Sequence, residues 1–199
     1  MDIQRIREED NADISAIIKA SLEAVGLNIP GTAYTDPQLN DLFHYYQNQD
    51  RAAYYIALDN DKVIGGVGFG PVTDSICELQ KCYVKASERN QGVGQELLKH
   101  VINEAKRNGF KYMYLESSHL LQEAIPFYEK KMAFVVLTNH YQISKITMQW
   151  IFGCLKRFQK VAKGISHFQK YGFLRECLKH FLLLSVIMRR CLCLYYGLI

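Results

Sequence analysis

The sequence predicts a mixed α/β domain, and three stretches carry that expectation. Glu78–Gly94 (E-L-Q-K-C-Y-V-K-A-S-E-R-N-Q-G-V-G) passes from strand-forming residues, through a polar turn with two glycines, into an amphipathic helix. Ala52–Asp59 and Lys62–Val72 are two strand-like runs joined by Asn60-Asp61, a hairpin signal. Ile14, Ile17, Ile18, Leu22 and Val25 recur at helical spacing and form one apolar stripe. At 199 residues the chain is long enough to bury a full core.

Taken in order, Asp2–Arg7 reads as an edge strand. Asn11 or Asp13 is expected to cap the first helix, and Gly26 to end it. Leu27–Thr35 is a loop containing Pro30-Gly31. Asp36-Pro37 opens a second helix with Leu39, Leu42, Phe43 and Tyr46 along one side. The hairpin carries Gly65, Gly66, Gly68 and Gly70, and so many glycines weaken a strand. Either the backbone bulges there, or a slim arm lies close against it.

Ile76–Val84 is the central strand. Strict alternation puts Glu78, Gln80, Cys82 and Val84 on one face, and Cys77, Leu79, Lys81 and Tyr83 on the other. Ala86–Asn90 is a polar turn. A helix from Gln91 follows, with Val93, Leu97, Leu98, Val101, Ile102 and Ala105 inward. Lys111–Glu116 is a further strand, His119–Lys131 a helix and Ala133–Leu137 a sixth strand.

Charge divides the chain. Met1–Leu137 holds 14 Lys and Arg against 19 Asp and Glu, whereas the remainder holds 10 against the single acid Glu176. The overall charge of +4 is therefore an average over an acidic body and a basic tail. Met1–Glu9 is polar with charges of both signs, so no secretory leader is expected, and a reducing, cytoplasmic setting follows for the six cysteines. Cys177, His180, Cys191 and Cys193 fit no zinc spacing, so no metal is expected. Phe168–Ile199 has two apolar runs parted by Arg189-Arg190, neither long enough to span a bilayer, so stable membrane insertion is not expected.

A strand, a glycine turn and a helix present unpaired N–H groups and a positive dipole end to a phosphate. Arg89–Gly94 lacks the Lys-Ser/Thr of a P-loop and the third glycine of a dinucleotide fingerprint. It reads Arg-x-x-Gly-x-Gly and resembles the acetyl-coenzyme A pyrophosphate loop of the GNAT superfamily of N-acetyltransferases. Two further features agree: Glu78 stands eleven residues before Arg89, and Ala124–Lys130 (A-I-P-F-Y-E-K) resembles the family's A-x-x-F-Y-E-K helix. The resemblance covers residues 1–137. The family continues Y-E-K-x-G-F, whereas this chain has Y-E-K-K-M-A-F, one residue longer and with Ala133 for the glycine.

The resemblance implies a mostly antiparallel mixed sheet with a splayed central strand pair and flanking helices. It implies acetyl-coenzyme A as co-substrate, with its diphosphate on Arg89, Asn90, Gln91, Gly92, Val93, Gly94 and Gln95 and its arm along Cys82, Tyr83 and Val84. The acetyl group would pass directly, in a ternary complex, to a primary amine of a small molecule or peptide. Glu78 would be the general base, Glu116 its rival and Tyr128 the general acid. The acceptor would arrive past Tyr34, Thr35, Phe43 and Tyr45, which the sequence equally allows to be packing residues. A coenzyme A-binding pseudo-enzyme without turnover stays open beside this. A nucleic-acid partner is not expected, and a homodimer is left open.

After Thr138 the likeness ends, and residues 153–199 are expected to form a basic, helical or poorly ordered tail foreign to the family. Back-translation gives a cause. One adenine restored near Thr138 turns the following codons into Thr-Lys-Pro-Leu-Ser-Asn, and Thr147–Leu155 into Asn-Ala-Met-Asp-Ile-Trp-Met-Leu, which resembles the family's last strand. Two outcomes are independent of codon choice: Met148-Gln149 forces alanine and Trp150-Ile151 forces aspartate. In the given frame, Ile146–Phe152 is still apolar enough to occupy that strand's place. Sequencing the gene across codon 138 is expected to show a one-base deletion; an intact adenine run without a shifted strand overturns it.

Overall fold

The computed structural model describes residues 1–118, 120–132, 134–137 and 145–151. The expected exit at Ala133, the loop after Thr138 and the tail at 153–199 lie outside the described residues. Among the described residues seven strands make one sheet: β1 (Asp2–Arg5), β2 (Ala53–Asp59), β3 (Lys62–Pro71), β4 (Ile76–Val84), β5 (Tyr112–Ser118), β6 (Val135–Leu137) and β7 (Lys145–Ile151). Their order is β1-β2-β3-β4-β5-β7-β6. Neighbours are antiparallel except β4 and β5, which are parallel. A parallel pair needs a crossover, and α3 (Val93–Arg107) supplies it.

Helix α3 buries Val93, Leu97, Leu98, Val101, Ile102 and Ala105, the whole stripe the spacing predicts. Each of the valine, leucine and isoleucine side chains contributes about 1.5–3 kcal/mol relative to exposure. These residues join Val67, Phe69, Cys77, Leu79, Met113, Leu115, Tyr128 and Phe134 in a core on one face of the sheet. On the other face, α1 (Asn11–Glu23) and α2 (Leu42–Gln47) pack Ile14, Ile18, Leu22, Leu42 and Tyr46 against Tyr54, Ile56 and Val63. Among the described residues no helix is long and apolar enough to cross a membrane.

Several boundaries differ from expectation for local reasons. Neither Asn11 nor Asp13 caps α1. Asp10 is the N-cap residue, while its own carboxylate accepts from the Arg7 backbone N–H and guanidinium at 2.9–3.1 Å. Asn11 instead clamps the entry to α2, accepting from Leu42 N and donating to Asn40 O at 2.5 Å each. Asp36-Pro37 opens only a short 3-10 turn, Pro37–Asn40, before α2. The third helix starts at Val93 rather than Gln91, because Gly92 is left-handed with φ 89°.

The expected helix at His119–Lys131 is shorter: α4 (Ala124–Pro126) runs into a π-helical turn at Phe127–Lys131. A π turn absorbs one residue within a helix. It lies where the sequence is one residue longer than the family pattern, and Phe134 N closes it on Tyr128 O at 3.0 Å.

The glycine-rich strand is explained by the protein's own side chains. A Cβ on Gly66 would lie 2.6 Å from the Tyr54 ring, and one on Gly68 would lie 2.7 Å from both Tyr46 Oη and the Tyr54 ring. The bare backbone of β3 thus admits two tyrosine rings, which takes the place of the slim arm entertained from sequence. Bulges are also present: on β3 itself Ile64 is the extra residue between the pairs Ala57–Gly65 and Leu58–Val63, and in the β3–β4 ladder the extra residue is on β4. Gly68 pairs with Gln80 and Gly66 with Tyr83, so Val67 faces both Lys81 and Cys82.

That bulge overturns the strict alternation. Lys81 adopts φ 47°, and beyond it Cys82 and Val84 share the face of Cys77 and Leu79. Tyr83 packs instead into the core on the α1–α2 face.

Gly68→Ala is expected to overpack the two rings and lower stability by about 1–3 kcal/mol in urea titration. An unchanged midpoint would show that the rings can move aside.

Candidate active site

Between β4 and α3 the backbone turns twice through left-handed conformations, at Asn90 (φ 62°) and Gly92 (φ 89°). Asparagine and glycine tolerate that region; most residues do not. Among the described residues, the N–H groups of Asn90, Gln91, Gly92, Val93 and Gly94 have no acceptor, while Gln95 N and Glu96 N close onto Gly92 O at 3.0 and 3.1 Å. Gly92 caps α3 without any side-chain hydrogen bond, and a Cβ there would meet nothing within 4 Å. Successive free N–H groups at the positive end of a 15-residue helix form an anion-binding nest.

Arg89, expected at the mouth, has two of its donors engaged. Nε donates to Val84 O at 3.2 Å and a terminal nitrogen to Ser21 Oγ at 3.1 Å. It fastens the loop to β4 and α1 while keeping its charge beside the nest.

The parallel ladder between β4 and β5 holds only three pairs, Ile76–Tyr112, Cys77–Met113 and Glu78–Tyr114. Beyond Glu78 the strands part. The resulting V continues the nest into a cavity of about 690 Å³. Its walls bring together Cys82, Tyr83, Val84, Arg89, Asn90, Gly92, Gly94, Gln95 and Tyr128, along with Glu116 of β5. The splay is the one that the resemblance, rather than the residue spacing, implies.

Glu78 does not line that cavity. Its neighbours Cys77 and Leu79 face the α3 core, so alternation points Glu78 to the opposite face. There its carboxylate accepts from Gln80 Nε2 at 2.9 Å, and Gln80 accepts in turn from Tyr46 Oη at 2.8 Å. Glu116 shares that face by the same reasoning, since Met113 and Leu115 belong to the α3 core. Glu78 and Tyr128 are therefore not adjacent; they stand on opposite faces of the sheet at the opening.

Tyr128 is held by the π turn, edge-on to Phe127 and Phe134 at 5.2 and 5.6 Å between centroids. Burial pushes its hydroxyl well above the ordinary phenol range, and the adjoining Cys82 thiol raises it further. Burial likewise pushes the Cys82 thiol up to about 11, opposed by its hydrogen bond with Tyr128. Both groups are thus protonated at neutral pH.

Of the residues expected to meet an acceptor, Tyr34 Oη donates to Glu23 at 2.7 Å, and Phe43 and Tyr45 pack against the α1–α2 core. Sequence reasoning missed the contribution of the end of α1 and the turn after it, where Ser21, Ala24 and Val25 line the cavity, and of the segment Leu120–Glu123. A hydroxyl in the apolar stripe of α1 was the available signal: Ser21 is buried and receives Arg89. Leu120–Glu123 carried none. Among the described residues no cluster of three His, Cys, Asp or Glu side chains could hold a metal ion.

Comparison with known proteins agrees with this geometry. The profile described as "Acetyltransferase (GNAT) family" matches residues 24–134. Over 131 residues the chain is 35% identical to the uncharacterized N-acetyltransferase YjgM of Escherichia coli, covering 64% of this chain and 78% of that one. Its fold is similar to that of a GNAT-family acetyltransferase from Staphylococcus aureus, with a TM-score of 0.65, 20% identity and coverage of 75% and 98% of the two chains. The PaiA N-acetyltransferase of Thermoplasma acidophilum, solved with coenzyme A, gives a TM-score of 0.65 at 18% identity, over 76% and 98%. Since the matched interval contains the nest, the parted strands and Tyr128, the chain belongs to the GNAT family and is an N-acetyltransferase that takes its acetyl group from acetyl-coenzyme A.

Proposed function

We propose that this chain moves the acetyl group directly to a primary amine of a small molecule or peptide, with Glu78 as general base and Tyr128 as general acid. The observation that carries the reading is the end of the β4–β5 ladder at Glu78–Tyr114. It leaves an opening through the sheet with a carboxylate on one face and a phenol on the other. An amine approaching from the α1–α2 face would meet Glu78, directly or through one water. A thioester approaching from the nest would bring its sulfur toward Tyr128.

In this reading Glu78 takes a proton from the amine, whose lone pair then attacks the acetyl carbonyl. The C–N bond forms, the C–S bond breaks, and Tyr128 gives its proton to the departing sulfur. Because burial disfavours the phenolate, that proton moves only as negative charge builds on sulfur. The backbone N–H of Cys82 stabilises the carbonyl oxygen. The five open N–H groups from Asn90 to Gly94 seat the diphosphate, and the coenzyme A complex of the PaiA enzyme supports that assignment by fold.

A specific observation favours a second base. Glu116 lines the cavity and Glu78 does not. The pH profile of kcat/KM separates them: Glu78→Gln is expected to abolish the acidic limb and Glu116→Gln to retain it, and the reverse moves the base to Glu116.

Tyr128→Phe is expected to lower kcat about a hundredfold with the affinity for acetyl-coenzyme A within about twofold of the parent. Unchanged turnover removes Tyr128 from the mechanism. Release of the coenzyme A thiol over an amine panel, beside calorimetric titration with acetyl-coenzyme A, tests the whole reading; binding without release would make the chain a pseudo-enzyme.

Gly92→Ala places a Cβ in the left-handed region, at about 1–2 kcal/mol. It should weaken coenzyme A binding about tenfold with near-ultraviolet circular dichroism unchanged. Unaltered affinity would move the diphosphate elsewhere.

A further inference from the structure

The sheet spends two glycines on placing one phenol. Tyr54 of β2 is 1% exposed, and its ring occupies space that any side chain on Gly66 or Gly68 would fill. Its hydroxyl donates to the backbone carbonyl of Lys81 at 2.8 Å. Lys81 is the bulged residue of β4, in a left-handed conformation that costs a residue with a Cβ. Such strain persists only where the surroundings hold it. Two contacts do so on the same face: the Tyr54 hydroxyl on the carbonyl, and Asp36, whose carboxylate lies 2.5 Å from Lys81 Nζ.

The consequence lies on the other side of the sheet. A carbonyl within a ladder points in the plane of the sheet, toward a neighbouring strand. The Lys81 carbonyl instead turns toward Tyr54, which packs in the α1–α2 core. The peptide is planar and trans, so the N–H of Cys82 points opposite to that carbonyl. It is therefore directed toward the α3 face, where the Cys82 side chain packs and where the cavity meets Tyr128.

We infer that Tyr54 is a positioning residue of the acetyl transfer: its hydroxyl fixes the Lys81–Cys82 peptide so that Cys82 N–H is aimed at the acetyl carbonyl. The inference rests on the reading that the thioester enters the opening between β4 and β5. It assigns a function to the glycine tract of β3, which makes room for the ring that sets the donor.

The test uses acetyl-coenzyme A labelled with carbon-13 at the acetyl carbonyl, bound to the full chain without an acceptor. Difference infrared spectroscopy reads how strongly the protein polarises that carbonyl. The band is expected below its position in solution. Tyr54→Phe keeps the ring and removes only the hydroxyl; it should return the band at least half of the way while affinity for acetyl-coenzyme A stays within about twofold. A band at the same lowered position in the parent and in Tyr54→Phe overturns the inference.

Parent protein that binds acetyl-coenzyme A with its band at the solution position overturns the carbonyl contact, and this inference with it. Parent protein that does not bind overturns the underlying site as well, so the failures are distinguishable. Should Tyr54→Phe not fold, the parent labelled with nitrogen-15 at cysteine keeps the claim open to refutation. The Cys82 amide proton should move downfield more with acetyl-coenzyme A than with coenzyme A, which lacks the acetyl oxygen. Equal shifts overturn the inference.

Discussion

The parting of β4 and β5 is the constraint on which the rest depends. Each strand has one paired edge: β3 pairs β4 from Cys77 to Val84 apart from the bulge at Lys81 and Cys82, and β7 pairs all seven residues of β5. The edges that face each other pair over only three residues. Unpaired N–H and C=O groups inside a protein are costly, and each one left without a partner forfeits about 1–3 kcal/mol. A sheet with such a gap is suited to an extended ligand with amides of its own, which completes the two edges as an added strand would. The nest lies at one end of the same gap, so a molecule with a diphosphate at one end and an amide-bearing arm at the other meets both.

The gap also separates two chemistries. The α3 face is apolar and has thiol and phenol groups kept neutral by burial, which suits a departing sulfur that must be protonated. The α1–α2 face has carboxylates on β4 and β5, together with the Tyr46–Gln80–Glu78 hydrogen-bond chain, which suits an incoming amine that must lose a proton. A single layer of sheet separates the buried phenol and thiol from the carboxylates. This division follows from the bulge as much as from the strand order. Without the extra residue, Cys82 and Val84 would face the carboxylates and Tyr83 would face the α3 core.

Much of this was legible in the sequence where a residue type has a single structural meaning. The six-residue stripe of α3, the Asn60-Asp61 turn with φ 47° and 62°, and the glycine corner at Gly92 all express local rules that tertiary context does not reverse. The bulge was not legible. A lysine in the left-handed region has no signature, because what holds it comes from Tyr54 and Asp36, 27 and 45 residues away in sequence. The glycines of β3 announced that something approached the backbone, but only the fold shows that it is Tyr46 and Tyr54. Asn11 looked like a cap because its side chain is made for one; Asp10, bonded to Arg7, had already taken the turn. The extra residue after Tyr128 was visible as a length, and its resolution as a π turn required the helix to be seen.

The Lys81–Asp36 pair joins the bulge of β4 to the segment that precedes α2. The lysine side chain is 9% exposed and the aspartate 28%, so neither charge is fully hydrated and each depends on the other. Asp36 immediately precedes Pro37, whose ring fixes the start of the 3-10 turn, and the turn leads directly into α2. The segment from Ala33 to Asn40 is thereby tethered to the one strained residue of β4. Any ligand that displaces Asp36 from Lys81 also removes one of the two contacts that hold the bulge. Since the bulge orients the Cys82 peptide, the Ala33–Asn40 segment and the opening between β4 and β5 meet at a single backbone position.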